Sequence, residues 1–321
     1  MVLVVRERLR LDYADANGPN KLLGNLSGVA VDGERLWTVS DEGRSLEVLA
    51  PDGTGGYRLA HQYALDTLIP GIPDADGDRP GELDLESITI RKGQLWLSGS
   101  HCLVRQKPAE TSEDRLESAI RSRPSRFLLA RFDLGPGGLT NPVHLPFEGE
   151  DSLRGRLQTD SHLAPFLALP SKENGLDIEG MCRQNGQTLL GCRGPLLDDV
   201  AAVIALEFAT DRFAIAAHTL HFLDLGGLAI RDLTRWGEDV LVLAGPVGDV
   251  HGPFRLYRWT PEASDRVQQP VELQSFPLTG EKPEGICALR RKDRDGWIVL
   301  YDSPAASRIK EDRYTADWIG F

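Results

Sequence analysis

A chain of 321 residues, 41% of them hydrophobic, can bury one large core or two ordinary ones, which places it among globular proteins. Forty-eight acidic against 36 basic residues leave a formal charge of −12, and that field repels a phosphate backbone and argues against nucleic acid as a partner.

The first segment, VLVVRERL, has only Val2 to Val5 as an apolar run before Arg6. A secretory core needs about 7–15 apolar residues and a membrane span about 20, so no membrane partner and a cytoplasmic location are expected. The four cysteines, at 102, 182, 192 and 287, form neither a CxxC pair nor a short metal-binding spacing, so reduced, partly buried thiols are expected.

From Asn25 the segment NLSGVAVDGERLWTVSDEG opens on a small anchor, alternates as a strand, turns at Asp32-Gly33 and returns as a second strand. Two-residue loops containing Gly favour hairpins, because positive φ matches the twist of the strands. The runs LEVLA and YRLAHQYAL continue the strand series. In the loop PDADGDRPGELD, residues 73–84, Asp74, Asp76 and Asp78 alternate around Gly77 as candidate ligands of a hard cation, although the twelve-residue EF-hand pattern is incomplete.

The hairpin pattern then recurs. DLESITIRKGQLWLSGSH from Asp84 turns at Lys92-Gly93, and DIEGMCRQNGQTLLGCRGP from Asp177 turns at Asn185-Gly186. LGGLAIRDLTRWGEDVLVLAGP from Leu225 turns at Trp236-Gly237, and KPEGICALRRKDRDGWIVLYDSP from Lys282 turns at Asp295-Gly296. Between the second and third copies, Thr111 and Asp114 resemble a capping box ahead of Leu116 and Ile120, which predicts a helical insertion over residues 108–125. SHLAPFLALP, 161–170, predicts a second short helix, which Pro165 in its first turn argues against. RFLLARFDL, VAAVIALEF, FAIAAHTLHF and FRLYRW supply further strands.

Aligned this way, the anchors are Ser27, Glu86, Glu179, Gly226 and Glu284, at spacings of 59, 93, 47 and 58 residues. Four-stranded propeller units repeat at about 40–50 residues and bury their faces only by stacking in a ring. The expected fold is therefore an all-β, single-domain β-propeller over residues 1–321, with five four-stranded blades. Six blades, with residues 140–170 as a degenerate one, and an open two-sheet sandwich are the alternatives. After GWIVLYDSP only RYTADWIGF remains, so the first segment is expected to complete the last blade and join the chain ends.

In such a ring the start of each inner strand and the end of the next strand share one mouth. Glu86, Glu179 and Glu284 would meet Asp41, His101, Arg193 and Asp302 there. Acids converging on one axis must be protonated, paired or bridged by a cation, and oxygen ligands suit Ca²⁺ or Mg²⁺ better than zinc. A structural role for these acids competes with both metal binding and acid/base work. Arg193 either pairs with the acids or holds an anionic substrate group. His101 or Asp41 would move the proton.

Through its DLES, DIEG and KPEG anchors and its RLESAIRSRPSRFLLARFDL insertion, the chain resembles an uncharacterised bacterial family of propeller domains that is similar to the phytase-like, or esterase-like, proteins. The resemblance covers Leu26 to Tyr301 and implies a propeller with an acidic channel mouth. Similarity to phytase-like and lactonase-like propellers implies calcium-assisted hydrolysis of a phosphoester, ester or lactone, acting on a small anionic substrate. Ser27 and Gly226 depart from the repeated acid, which makes the ring asymmetric. A noncatalytic module that binds a protein or small molecule is the alternative.

Overall fold

A computed structural model describes residues 4–18, 22–73, 81–106, 108, 117–248, 250–264 and 266–320. Its principal strands sort into five four-stranded antiparallel units. From the inside outward, the first is Leu26–Asp32, Arg35–Ser40, Ser45–Pro51 and Tyr57–Ala64; the second is Leu85–Arg91, Gln94–Gly99, Leu129–Gly135 and Gly138–His144. The third is Asp177–Gln184, Gln187–Leu197, Val200–Phe208 and Ile215–Leu223; the fourth is Ala229–Trp236, Asp239–Gly245, Arg255–Trp259 and Val271–Ser275. The fifth takes Lys282–Ala288, Trp297–Asp302 and Arg313–Gly320 from the end of the chain and Val4–Asp12 from its start.

The ring closes through that last pairing. Leu9 lies opposite Ala316 and Leu11 opposite Tyr314, so the two ends of the chain form one sheet. Each inner strand packs against the inner strands of the units before and after it, fifth against first included. Hydrophobic clusters fill the seams. Trp37 and Leu46 meet Ile88 and Leu97 between the first and second units, while Leu241 and Leu256 meet Ile286 and Trp297 between the fourth and fifth. No unit buries both faces alone, so the stacking of neighbours supplies the core. The arrangement is a β-propeller.

The turns follow the chemistry read from the sequence. Asn185 and Gly186 both have positive φ, +50° and +84°, as the tightest hairpins require. The inner strands approach so closely that a Cβ on Gly180 would lie 2.8 Å from the Leu233 nitrogen, leaving room for Gly alone.

Several expectations require correction. Residues 145–176 hold the short helix Leu153–Leu157 and 3₁₀ turns at Ala164–Phe166 and Ser171–Glu173, not a sixth set of strands. Ser152 caps that helix by accepting a hydrogen bond from the Gly155 nitrogen at 3.0 Å. Ile120, expected on a helix, lies in the two-residue strand Ile120–Arg121 paired with Val104–Arg105; cross-strand bonding overrides its local helical pattern. Thr111, Asp114 and Leu116 of that expected helix, and the candidate cation ligands Asp74, Asp76 and Asp78, lie outside the described residues.

Candidate functional site

Each inner strand carries a bulge near its start. The register shifts between Leu26 and Gly28, Leu85 and Ser87, Ile178 and Gly180, Ile230 and Asp232, and Pro283 and Ile286. A bulge re-aims the side chain it contains. The five equivalent positions are therefore Ser27, Glu86, Glu179, Arg231 and Glu284. Arg231, not Gly226, is the anchor of the fourth unit; aligning repeats by a small or acidic residue had displaced that copy by five positions.

Glu86, Glu179 and Glu284 are buried, and one carboxylate oxygen from each lies within 4.8 Å of the others. Arg231, itself buried, enters between two of them. Its Nη1 lies 2.8 Å from Glu179 Oε2 as an ion pair without hydrogen-bond geometry, and its Nη2 donates to Glu284 Oε1. Arg193 Nη1 donates to Glu179 Oε1 at 2.7 Å, while its Nε donates to the Val247 carbonyl at 2.8 Å. Burial works against the Arg193 charge, but Glu179 and Asp177 outweigh it and hold its pKa above the ordinary value. Two donors of Arg193 are thus committed to positioning Glu179 and the chain around Val247.

No arginine is bonded to Glu86 among the described residues. Burial first, then the charges of Asp84, Glu179, Asp41 and Glu284, raise its pKa well above the usual carboxylate range. Burial also raises Glu284 well above that range, against the counter-pull of Arg231. Glu284 Oε2 is buried with no hydrogen-bond partner. An all-oxygen set with an unsatisfied buried oxygen fits a hard cation.

Closer to solvent lie Asp41, Asp84 and Asp302, all half-buried. Asp41 follows the second strand of the first unit, where burial and the nearby Asp84 and Asp302 push its pKa up to about 8. Asp84, with φ +50°, accepts hydrogen bonds from Ser100 Oγ and, at 2.8 Å, from Arg126 Nη1. Asp177 lies 4.0 Å from Arg193 Nη1; burial and Glu179 push its pKa up to about 8. Asp41 acts on Glu86 and Asp302 on Glu284 through their charges, and Arg193 is bonded to Glu179.

His101 is not brought into this set. Its ring stacks on Phe127 with centroids 6.1 Å apart, and its Nε2 lies 3.1 Å from the Leu128 carbonyl. Burial and then Arg154 push its pKa down to about 3. The difference is local to this residue: His101 has a positive φ of +56° and its ring lies on Phe127, while Ser100 and Cys102 on either side of it reach Asp84.

Asp232, which the repeat alignment overlooked, is a buried joint between three units. Its carboxylate accepts from the Leu233 and Ile286 nitrogens at 2.7 Å each, and from the Met181 nitrogen. The signal was available in Ile230-Arg231-Asp232-Leu233, which parallels Ile178-Glu179-Gly180-Met181.

The sequence pattern of a family described as "Protein of unknown function (DUF3616)" matches residues 25–317. No curated protein matches the chain. Among solved structures, it is similar to an exo-β-1,3-galactanase from Clostridium thermocellum at 8% identity and a TM-score of 0.50, with 98% of this chain and 62% of that one covered. It is also similar to a glutaminyl cyclase from Myxococcus xanthus at 10% identity and 0.49, covering 99% and 95%, and to the PQQ-bound aldose sugar dehydrogenase of Streptomyces coelicolor at 12% and 0.43, covering 99% and 97%. At such identities the likeness concerns the fold alone. No helix among the described residues is long and apolar enough to cross a membrane.

Proposed function

The chain belongs to the DUF3616 family, and we propose that this member is a metal-assisted hydrolase whose cation is held by Glu86, Glu179 and Glu284. The observation that carries the reading is the convergence of three buried carboxylates from separate units within 4.8 Å, one of them with an unpartnered oxygen. Burying like charges together is costly unless a cation or a proton compensates them. Arg231 and Arg193 compensate part of that charge, and Glu86 has no such partner.

A hard divalent cation bound there, Ca²⁺ rather than Mg²⁺, would polarise the scissile group or lower the pKa of a water. Asp41, whose pKa burial and the neighbouring Asp84 and Asp302 raise, would take or return the proton. Arg193 would act as a positioning residue through Glu179. The acidic rim of Asp41, Asp84 and Asp302 admits a neutral ester or lactone more readily than a phosphoester dianion, which favours the first two as substrates. The phytase-like alternative therefore rests on the cation offsetting that rim.

A second reading is favoured by Arg231. A guanidinium bridging Glu179 and Glu284 can make the acids the structural hub of a noncatalytic module that binds a protein or small molecule.

The deciding experiment titrates the protein with Ca²⁺, Mg²⁺ and Mn²⁺ at fixed ionic strength while following thermal unfolding. Ester, lactone and phosphoester turnover is then assayed with wild type and Glu86→Gln. The hydrolase reading expects cation-dependent stabilisation and turnover, both reduced in the variant. Absence of both in the wild type would leave the hub.

A further inference from the structure

The inner strands that begin at the acidic mouth end at the other mouth, and the charge there is reversed. A cavity of about 220 Å³ lies on the ring axis, lined by residues of all five inner strands and of no outer strand. Arg91, Arg183 and Arg235 reach it from the second, third and fourth units, with Thr89 and Thr234 beside them. Glu86 and Arg91 are five residues apart on one strand, which separates the two mouths by roughly 16 Å at about 3.3 Å per residue.

We propose that this cavity binds a small oxyanion of the phosphate class, held by Arg91, Arg183 and Arg235.

Three observations converge on it. The Arg91 side chain makes no hydrogen bond or ion pair among the described residues, although it is half-buried in a molecule with an excess of acids. Arg183 has no carboxylate partner: it donates to Thr188 Oγ1 at 2.6 Å and lies over the Trp96 ring at 4.5 Å. Arg235 donates from Nε to Gln184 Oε1 at 2.9 Å, and its ion pair is with Glu238, 3.7 Å away, whose side chain is 83% exposed. An exposed pair at that distance neutralises little.

The like charges are felt. Burial, then Arg131 and Arg91, lower the Arg183 pKa. Guanidinium groups lining one cavity repel one another, and an anion between them removes that repulsion. Guanidinium forks suit a multi-oxygen anion with two or three negative charges better than a monocarboxylate. Size decides in the same direction. Drug-sized ligands occupy about 300–1,000 Å³, whereas this space holds a phosphate ion with a few waters at about 30 Å³ each.

The proposal is independent of hydrolysis at the other mouth. It is tested by isothermal titration of the full chain with inorganic phosphate at constant ionic strength, with chloride and acetate as comparison anions. One-to-one phosphate binding is expected, weakened about tenfold or more in R91Q and R183Q and unchanged in R58Q, an exposed arginine of the first unit, and in E86Q. Phosphate behaving like chloride, binding as tight for acetate, or binding that survives R91Q would each overturn it. Since the Arg91 side chain makes no hydrogen bond or ion pair among the described residues, R91Q decides the matter even where R183Q, which removes packing on Trp96, fails to fold.

Discussion

Arg231 occupies on its strand the bulged position that Glu179 occupies on the preceding inner strand, and its Nη1 lies 2.8 Å from that glutamate's Oε2. One unit of the ring thus presents a cation where its neighbours on both sides present acids. Neither partner is more than 5% exposed, so water screens the pair little.

Removing that cation leaves Glu179 and Glu284 buried without their shared partner. Arg231→Met is expected to cost about 3–5 kcal/mol of stability, the usual range for breaking a buried ion pair. Chemical denaturation measures this. Adding Glu284→Gln to the variant should recover part of the loss, because the two side chains act as one unit.

The raised pKa of Asp41 makes stability depend on pH. Its ordinary value is 3.8 and its value in the folded chain about 8, so between these the native state binds more protons than the unfolded state. Stability contributed by the protonated form is full below about pH 4 and is lost as pH rises through 8. Thermal unfolding midpoints from pH 5 to 8 should fall in the metal-free protein, and Asp41→Asn should flatten the slope. The variant-minus-wild-type difference should therefore rise with pH, and a difference that falls with pH would contradict the burial of this carboxylate.

Gly180→Ala introduces a Cβ 2.8 Å from the Leu233 nitrogen and 2.9 Å from the Asp232 carbonyl carbon. Backbone cannot rotate away as a side chain can. The substitution should cost about 1–3 kcal/mol through overpacking. It should also weaken any cation response, since it pushes apart the strands carrying Glu179 and Arg231. Unfolding curves recorded with and without Ca²⁺ test both effects.

His101→Asn keeps a residue type that tolerates positive φ. With the His101 pKa held near 3 and its ring against Phe127, no titration near neutral pH belongs to it. The pH profile of the cation response, or of turnover, should keep its shape in the variant. A limb between pH 6 and 7 that disappears on this substitution would return His101 to the site.

Much of the architecture was legible without coordinates, because hairpins are written locally. Asn185-Gly186 must turn, Asp177 to Gln184 must extend, and repetition of that unit implies stacking. Glu86 and Glu179 could likewise be picked out by their shared offset of six residues from the turn, and Glu284 by its place at the start of its strand. Ile120 itself is a strand residue, paired through Ile120–Arg121 with Val104–Arg105, a partner that no local pattern reveals.

Arg231 was hidden for another reason. A search for repeated acids cannot find the unit in which the acid is replaced by its counterion, and only the bulge register aligns the two. The same holds for the opposite mouth: Arg91, Arg183 and Arg235 each sit close to a hairpin turn, yet no local rule says that three such arginines share one cavity.

The amino-acid order by itself determined which stretches become strands, where they reverse and which of them carry acids, since these depend on backbone preferences within a few residues. Which charges face one another, Arg231 against Glu179 and Glu284 at one end and Arg91, Arg183 and Arg235 around one cavity at the other, was decided only by closing the ring. Coulomb interactions fall with distance through space, and positions more than 50 residues apart become neighbours only when all five inner strands surround one axis.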